Sequence, residues 1–265
     1  MSNLFETGIR PAIDAYLLEE SKKTRSYGDY WSASSAGYCM RKNIFERLGV
    51  PHVENEADAR KQRVFTSGHI FHSWIQELTK EAGLSIAQEV ELIDDDIMVK
   101  GHFDDLVLVS EKPEYLMDMI DPKTATKPAP KQHLILYDYK TQNSRAFSYK
   151  RDKMSHFHRL QLGTYMYIIR KTEHPELTEA RILKISKDDL RMSEEQLLWT
   201  ADLEKDVVGY WSTINGYWKA KTIPKCTCAD YEGGFMSREQ YNPYFYNGEP
   251  CSMEWYKKFK EEQDA

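Results

Sequence analysis

The stretch "HLILYDYKT", residues 133–141, constrains this chain more than any other. It is short and nearly continuously apolar until it ends in charged and polar residues. That pattern reads as a strand at a central position, covered on both faces. Side chains alternate along a strand, so Asp138 and Lys140 share one face and Tyr139 takes the other. Any fold that buries this strand brings a carboxylate and an ammonium to one side of its sheet. An ion pair at a sheet edge accounts for that, and so does a metal-dependent phosphodiesterase centre. Two residues do not decide between them.

The elements around the strand narrow the choice. Residues 5–20 read as a helix despite Pro11. "SASSAGYCMRKNIFERLGVP" reads as a second helix, with the serines at 32–35 as N-cap candidates and Gly49 and Pro51 as its stop. A third helix spans "RVFTSGHIFHSWIQELTKEAG", closed by Gly83, with an apolar stripe of Phe71, Trp74, Ile75 and Leu78. The period then changes, and "SIAQEVELI", "IMVKG" and "FDDLVLVS" read as consecutive strands with short turns. Residues 111–132 carry four prolines and read as a long irregular excursion before the central strand. A helix over "MSHFHRLQLGTYMYIIRKT", a strand "ARILKIS" and an amphipathic helix from Ser193 to Lys221 follow, with Pro224 behind it. The order predicts a mixed α/β domain with helices in front and a cysteine-bearing tail.

Within that frame three groups converge on the central strand. Asp104 opens the strand "FDDLVLVS", with Asp105 on the opposite face. Asp104 and Asp138 together make the oxygen-rich half of a magnesium or manganese site, to which the peptide carbonyl of Tyr139 can add a ligand. Lys140 beside such a site can orient or activate water and stabilise charge on a phosphate. On the third helix Gly68 lies one turn before His72, leaving room for a strand or metal, so His72 is preferred over His69 as a nitrogen ligand. Gln161 and Tyr165, four apart on a later helix, can reach a phosphate or position the lysine, or simply pack.

The motifs "GHIFH", "GHFD", "DYK" and "QLGTY", in that order over roughly residues 34–170, resemble the PD-(D/E)xK nuclease superfamily. Within it the chain is similar to the RecB-like exonuclease branch, which includes the CRISPR-associated Cas-four nucleases and the AddB nuclease domain. The resemblance implies a restriction-endonuclease-like core over residues 34–190 of one 1–265 domain. It implies His72, Asp104 and Asp138 as metal ligands, Lys140 as the catalytic lysine, and Gln161 and Tyr165 as an accessory motif. Glu89 is a further candidate acid, with Glu91 competing from the same strand face. The expected activity is Mg²⁺- or Mn²⁺-dependent hydrolysis of DNA from single strands or free ends, in recombination, repair, phage DNA metabolism or CRISPR spacer processing. A catalytically silent DNA-binding subunit, or a structure-specific or restriction-type endonuclease, is the competing expectation.

The four cysteines, Cys39, Cys226, Cys228 and Cys251, take meaning from the same comparison. The branch clamps a 4Fe–4S cluster with one cysteine before its nuclease motifs and three after, and such a cluster would join residues 1–50 to 222–265. Here the local pattern is C-x-C and then a gap of 22 residues, so a Cys₄ zinc site is the alternative.

Net charge is −6, so the chain does not live by blanket attraction to nucleic acid. Basic residues still cluster at Arg145, Lys150, Arg151, Lys153 and Arg159. They are the candidate DNA backbone contacts, although a solvated helix face explains them equally. Tyr149, Phe157 and Trp31 are candidates for stacking on bases. No apolar run reaches the length of a membrane span, and the N-terminus lacks a secretory pattern. A cytoplasmic protein is expected, in the host cytoplasm if phage-encoded, with a helicase, recombinase or integrase as a possible partner.

Overall fold

The computed structural model describes residues 8–21, 28–53, 59–110, 132–148, 154–230, 237–238 and 242–264. Helix α1 (Ile9–Ser21) precedes a short strand β1 (Trp31–Ser32), a single 3₁₀ turn at Ala33–Ser35 and α2 (Met40–Arg47). Helix α3 (Ala59–Glu81) leads into β2 (Ser85–Gln88), β3 (Glu91–Asp94), β4 (Val99–His102) and β5 (Asp105–Ser110). Then come β6 (Gln132–Gln142), α4 (Ser144–Ser148), α5 (His156–Thr172), β7 (Glu179–Ser186), β8 (Met192–Leu198), α6 (Ala201–Lys219) and α7 (Met253–Asp264).

The expected mixed α/β architecture is present, with a central mixed sheet flanked by helices. That sheet has five strands in the order β2-β5-β6-β7-β8, so "HLILYDYKT" occupies its middle. Strand β6 is antiparallel to β5 and parallel to β7, the parallel step being bridged by α4 and α5. Helices cover both faces, which is why β6 is apolar along both of its sides. On one face Tyr139 packs with Ile75 of α3 and Ile185. On the other, α5 and then α6 build the main core around Leu136, Met166, Ile182 and the fully buried Trp211, whose indole N–H donates to Thr164 Oγ1 at 2.9 Å. A smaller sheet, β1-β4-β3, flanks this core and carries Val99 and Trp31 into it.

Several expectations need correction. The serines at 32–35 do not cap α2. Gly37, at φ +76°, turns the chain first, and α2 starts at Met40 behind Cys39, which makes no side-chain cap bond. "SIAQEVELI" is two strands in different sheets, because Glu89 takes a left-handed φ of +50° between them. Glu89 and Glu91 therefore share no strand face. Residues 193–198 are strand β8, not helix: the sequence MSEEQLL favours helix locally, but pairing with β7 along its whole length overrides that preference. Helix α6 begins only after Thr200, whose hydroxyl accepts from Leu203 N at 3.1 Å. The stripe on α3 is only partly buried: Ile75 is enclosed, while Trp74 and Leu78 are exposed, since the helix meets the sheet over a narrow face. The 111–131 part of the proline-rich excursion, together with Tyr149, Lys150, Arg151 and Lys153, lies outside the described residues.

Candidate active site

The β5–β6 ladder ends at the pair Asp105↔Tyr137, while β6 runs on beside β7 to Gln142. From Asp138 onward one edge of β6 is therefore left by β5. Asp104, in the bend just before β5, turns into that gap and accepts the Tyr139 backbone N–H on Oδ2 at 2.5 Å. A carboxylate thus takes a ladder position that a strand carbonyl would otherwise fill, which fixes Asp104 against the end of the central strand.

Strand alternation then sorts the neighbours. Asp138 and Lys140 share the α5 face, and the Lys140 ammonium lies 2.9 Å and 2.8 Å from the two Asp138 oxygens. Gln161 of α5 is buried above them and donates from Nε2 to Asp138 Oδ1 at 3.2 Å and to the Tyr165 hydroxyl at 3.4 Å. On the other face the Tyr139 hydroxyl donates to buried Asp105 Oδ2 at 2.8 Å. Asp105 also accepts from Thr79, Ser85 and Gln88, at 2.6, 2.5 and 3.1 Å. Four donors satisfy that carboxylate and fasten α3, β2 and β6 together, so Asp105 is a structural anchor facing away from Asp138.

His72 reaches the site from α3. Its Nδ1 stands 3.6 Å from Asp104 Oδ1, and its ring meets Tyr139 edge-on. His69 is exposed on the same helix. A Cβ on Gly68 would stand 3.3 Å from Thr141 Oγ1 of β6, so the missing side chain is what lets α3 cross the strand this closely. Gly101 of the second motif lies within β4, not in a turn. A Cβ there would come within 2.7 Å of Ala33 Cβ and 3.1 Å of Tyr165 Cε1. Two of the three motif glycines thus mark places where a backbone presses closely on the elements that carry the site.

The electrostatics follow from this crowding. Burial holds the Asp138 carboxyl above the ordinary carboxylate range, and the charge of Asp104 adds to the rise, against the opposing pull of Lys140. Burial alone would lower the Lys140 ammonium, but Asp138 and Asp104 outweigh it and leave the group above its ordinary value.

Gln76 was missed from the sequence. It donates to the Asp104 carbonyl at 3.0 Å and to Glu89 Oε1 at 2.8 Å, and so ties Glu89 to the site's rim. Its position one turn after His72 on the same helical face was the available signal. Tyr38 was also missed. It stacks on Phe157, with centroids 5.3 Å apart, and burial holds its hydroxyl above the ordinary tyrosine value. With Gly37, Phe157, Tyr210 and Lys225 it lines a cavity of about 510 Å³. Of the basic candidates, Arg145 is exposed on α4, whereas Arg159 is engaged with Asp206 at 2.7 Å. Trp31 is buried against Arg47 and Trp218 and donates to Asn215, so it offers no face for stacking.

The cysteines form a second cluster, against which Tyr38 packs. Cys39, at the start of α2, meets Cys226, Cys228 and Cys251, and all four sulfurs lie within 4.8 Å of one another. The Cys39 thiol donates to Cys226 Sγ at 3.9 Å, and the Cys228 and Cys251 sulfurs are 3.5 Å apart.

No protein-family model matches the chain, and no curated protein does. Among solved structures, SSO0001 superposes on 85% of this chain and 96% of its own, at 16% identity and a TM-score of 0.49. The alkaline exonuclease LHK-Exo from Laribacter hongkongensis, including its complex with dAMP, covers 80% of this chain and 97% of its own, at 16% identity and a TM-score of 0.41.

Proposed function

We propose that the chain is a divalent-metal-dependent deoxyribonuclease that digests DNA from single strands or ends. The observation that carries this reading is the convergence of Asp104, Asp138, Lys140, Gln161 and His72, from a bend, a strand end and two helices, at the point where β5 leaves β6. An ion pair alone needs neither the second carboxylate nor the buried amide. Bringing Asp104 beside buried Asp138 costs like-charge repulsion, which a cation offsets.

The donor set suits Mg²⁺ or Mn²⁺: Asp104, Asp138 and the Tyr139 carbonyl supply hard oxygens, and His72 supplies a nitrogen. Such an ion, when bound, polarises the phosphoryl group and offsets the charge that builds on it. The side chains do the rest. Lys140 holds its proton and stands where it can hydrogen-bond the attacking water and a non-bridging phosphate oxygen. Gln161 steadies Asp138 through the bond at 3.2 Å, and Tyr165 backs Gln161 in turn. Glu89, held by Gln76, is a further acid at the rim.

The test is digestion of end-labelled single-stranded, double-stranded and circular DNA with Mg²⁺ or Mn²⁺, running Lys140→Ala beside the parent. Stepwise loss of linear substrates is expected, falling by a factor of 10² or more in the variant, the usual scale for a preorganised charge-stabilising donor. Cutting of circles would move the assignment to an endonuclease. DNA binding without cleavage under either metal would make the chain a binding subunit.

A further inference from the structure

We infer that Cys39, Cys226, Cys228 and Cys251 hold a single tetrahedral ion, zinc, and not the iron–sulfur cluster that the nuclease resemblance implies. The spacing decides it. The Cys39 and Cys226 sulfurs are 3.9 Å apart, those of Cys228 and Cys251 are 3.5 Å apart, and no pair among the four exceeds 4.8 Å. Four thiolates around one zinc, with Zn–S bonds of about 2.3 Å, define a tetrahedron whose edges are about 3.8 Å. In a cubane each thiolate binds its own iron, and the outer sulfurs spread to separations on the order of 6 Å.

The surroundings resist that expansion. Cys39, Cys228 and Cys251 are fully buried beside Phe45, Val50 and Tyr244, and Phe45 is itself clasped edge-on by Tyr244 and face-on by Tyr256. Opening the four sulfurs by some 2 Å would force α2 and the C-terminal segment apart through this close packing. The backbone shows the same commitment. Cys251 is held at φ +49°, a left-handed conformation that a non-glycine residue keeps only when its surroundings fix it.

Donors for thiolate charge are also in place. Asn242 Nδ2 reaches the Cys228 and Cys251 sulfurs at 3.3 and 3.4 Å, and the backbone N–H groups of Thr227 and Cys228 reach Cys39 and Cys226 at 3.4 and 3.5 Å. Arg41 lies two residues after Cys39. It donates to the carbonyls of Pro224 and Cys251 and sets a positive charge against the loops that carry the other ligands. N–H···S bonds and a nearby cation are the outer contacts that a four-thiolate dianion needs. Zinc has no geometric preference of its own to disturb a tetrahedron and is the usual ion of closed Cys₄ sites.

This inference does not depend on the nuclease reading, and its test measures metal, not cleavage. The chain is produced with both iron and zinc supplied and purified without oxygen, and then assayed for metals, acid-labile sulfide and visible absorption. The expected result is about one zinc per chain, little iron or sulfide and no brown chromophore. Cys251→Ser and Cys39→Ser should each lose the zinc, while His72→Ala should keep it. Near-stoichiometric iron with matching sulfide would overturn the inference, as would a chain holding neither metal. Zinc retained by both cysteine variants but lost from His72→Ala would place the ion elsewhere and overturn it equally.

Discussion

At Asp138 two demands oppose one another: the carboxylate must be charged to bind a cation, and it is buried where charge is costly. Its carboxyl is held above the ordinary range by burial and then by Asp104. Without added Mg²⁺ or Mn²⁺, the folded chain therefore keeps this proton to higher pH than the unfolded chain. The sign follows. The contribution to stability is fully present below the unfolded pKa of about 4 and is lost as pH rises through the raised folded value, with a slope of at most about 1.4 kcal/mol per pH unit. Denaturation of parent and Asp138→Asn across pH 4–8 should show that decline in the parent and not in the variant; the same slope in both sinks the account. Catalysis has the opposite sense, since a protonated Asp138 cannot hold a cation, so cleavage should rise with pH over that same window. At this scale much was legible. Alternation fixed the faces of Asp138, Tyr139 and Lys140, and helical spacing put Gln161 and Tyr165 on one face of their helix, although the bond of Gln161 to Asp138 came only with the fold. Asp105 was legible only as facing away. Its anchoring role depends on Thr79, Ser85 and Gln88, which arrive from a helix and an edge strand that sequence distance does not relate.

Among the elements, strand β4 shows how a backbone can act on a site it does not enter. Gly101 presses on Ala33 and on the ring of Tyr165, which bonds Gln161, which bonds Asp138. An alanine in a strand ordinarily gains a few tenths to 1 kcal/mol over glycine by restricting the unfolded chain. Here the added methyl would stand 2.7 Å from Ala33 Cβ, which is fixed to the 3₁₀ turn and cannot swing away. Gly101→Ala should therefore destabilise by about 1–3 kcal/mol, read as a lower urea midpoint with an unchanged slope. Cleavage should fall as well, because Tyr165 must move. A variant as stable as the parent, or more so, would falsify the close-packing argument. Element identity was readable where pattern and packing agree, as in β6, α5 and β7. It failed where they conflict. Strand β8 carries helix-favouring Glu194, Glu195 and Gln196, yet it is drawn to the sheet edge, where Arg181 meets Glu194 at 2.6 Å and Lys184 pairs with Glu195. "SIAQEVELI" looked continuous because Glu89 is no usual residue for a left-handed turn.

Across the whole molecule, the thiolate centre joins two regions that are far apart in sequence, since Cys39 and Cys226 are 187 residues apart. The link is made at the N-terminus of α2, the helix whose Phe45 packs on Tyr244 and Tyr256, and Arg41 and Trp255 add hydrogen bonds across the same junction, to the Pro224 and Cys251 carbonyls and to the Pro51 carbonyl. A metal bound only by the folded chain stabilises it by about 4 kcal/mol at a free-metal concentration roughly 1,000 times its Kd, and by less if the unfolded thiols also bind it. For a chain of this size each kcal/mol moves the midpoint by about 2–4 °C. Cys251→Ser should accordingly lower the thermal midpoint by roughly 10 °C. Limited proteolysis of the variant should cut first within residues 222–264, ahead of any cut in the central sheet. The central sheet, whose core around Trp211 and Leu136 does not include the cysteines, should stay protected until the main transition. An unchanged midpoint and the parent's cutting pattern would mean that aromatic packing alone holds the segment. A single transition with the sheet cut as early as the tail would mean that the thiolate centre supports the entire fold.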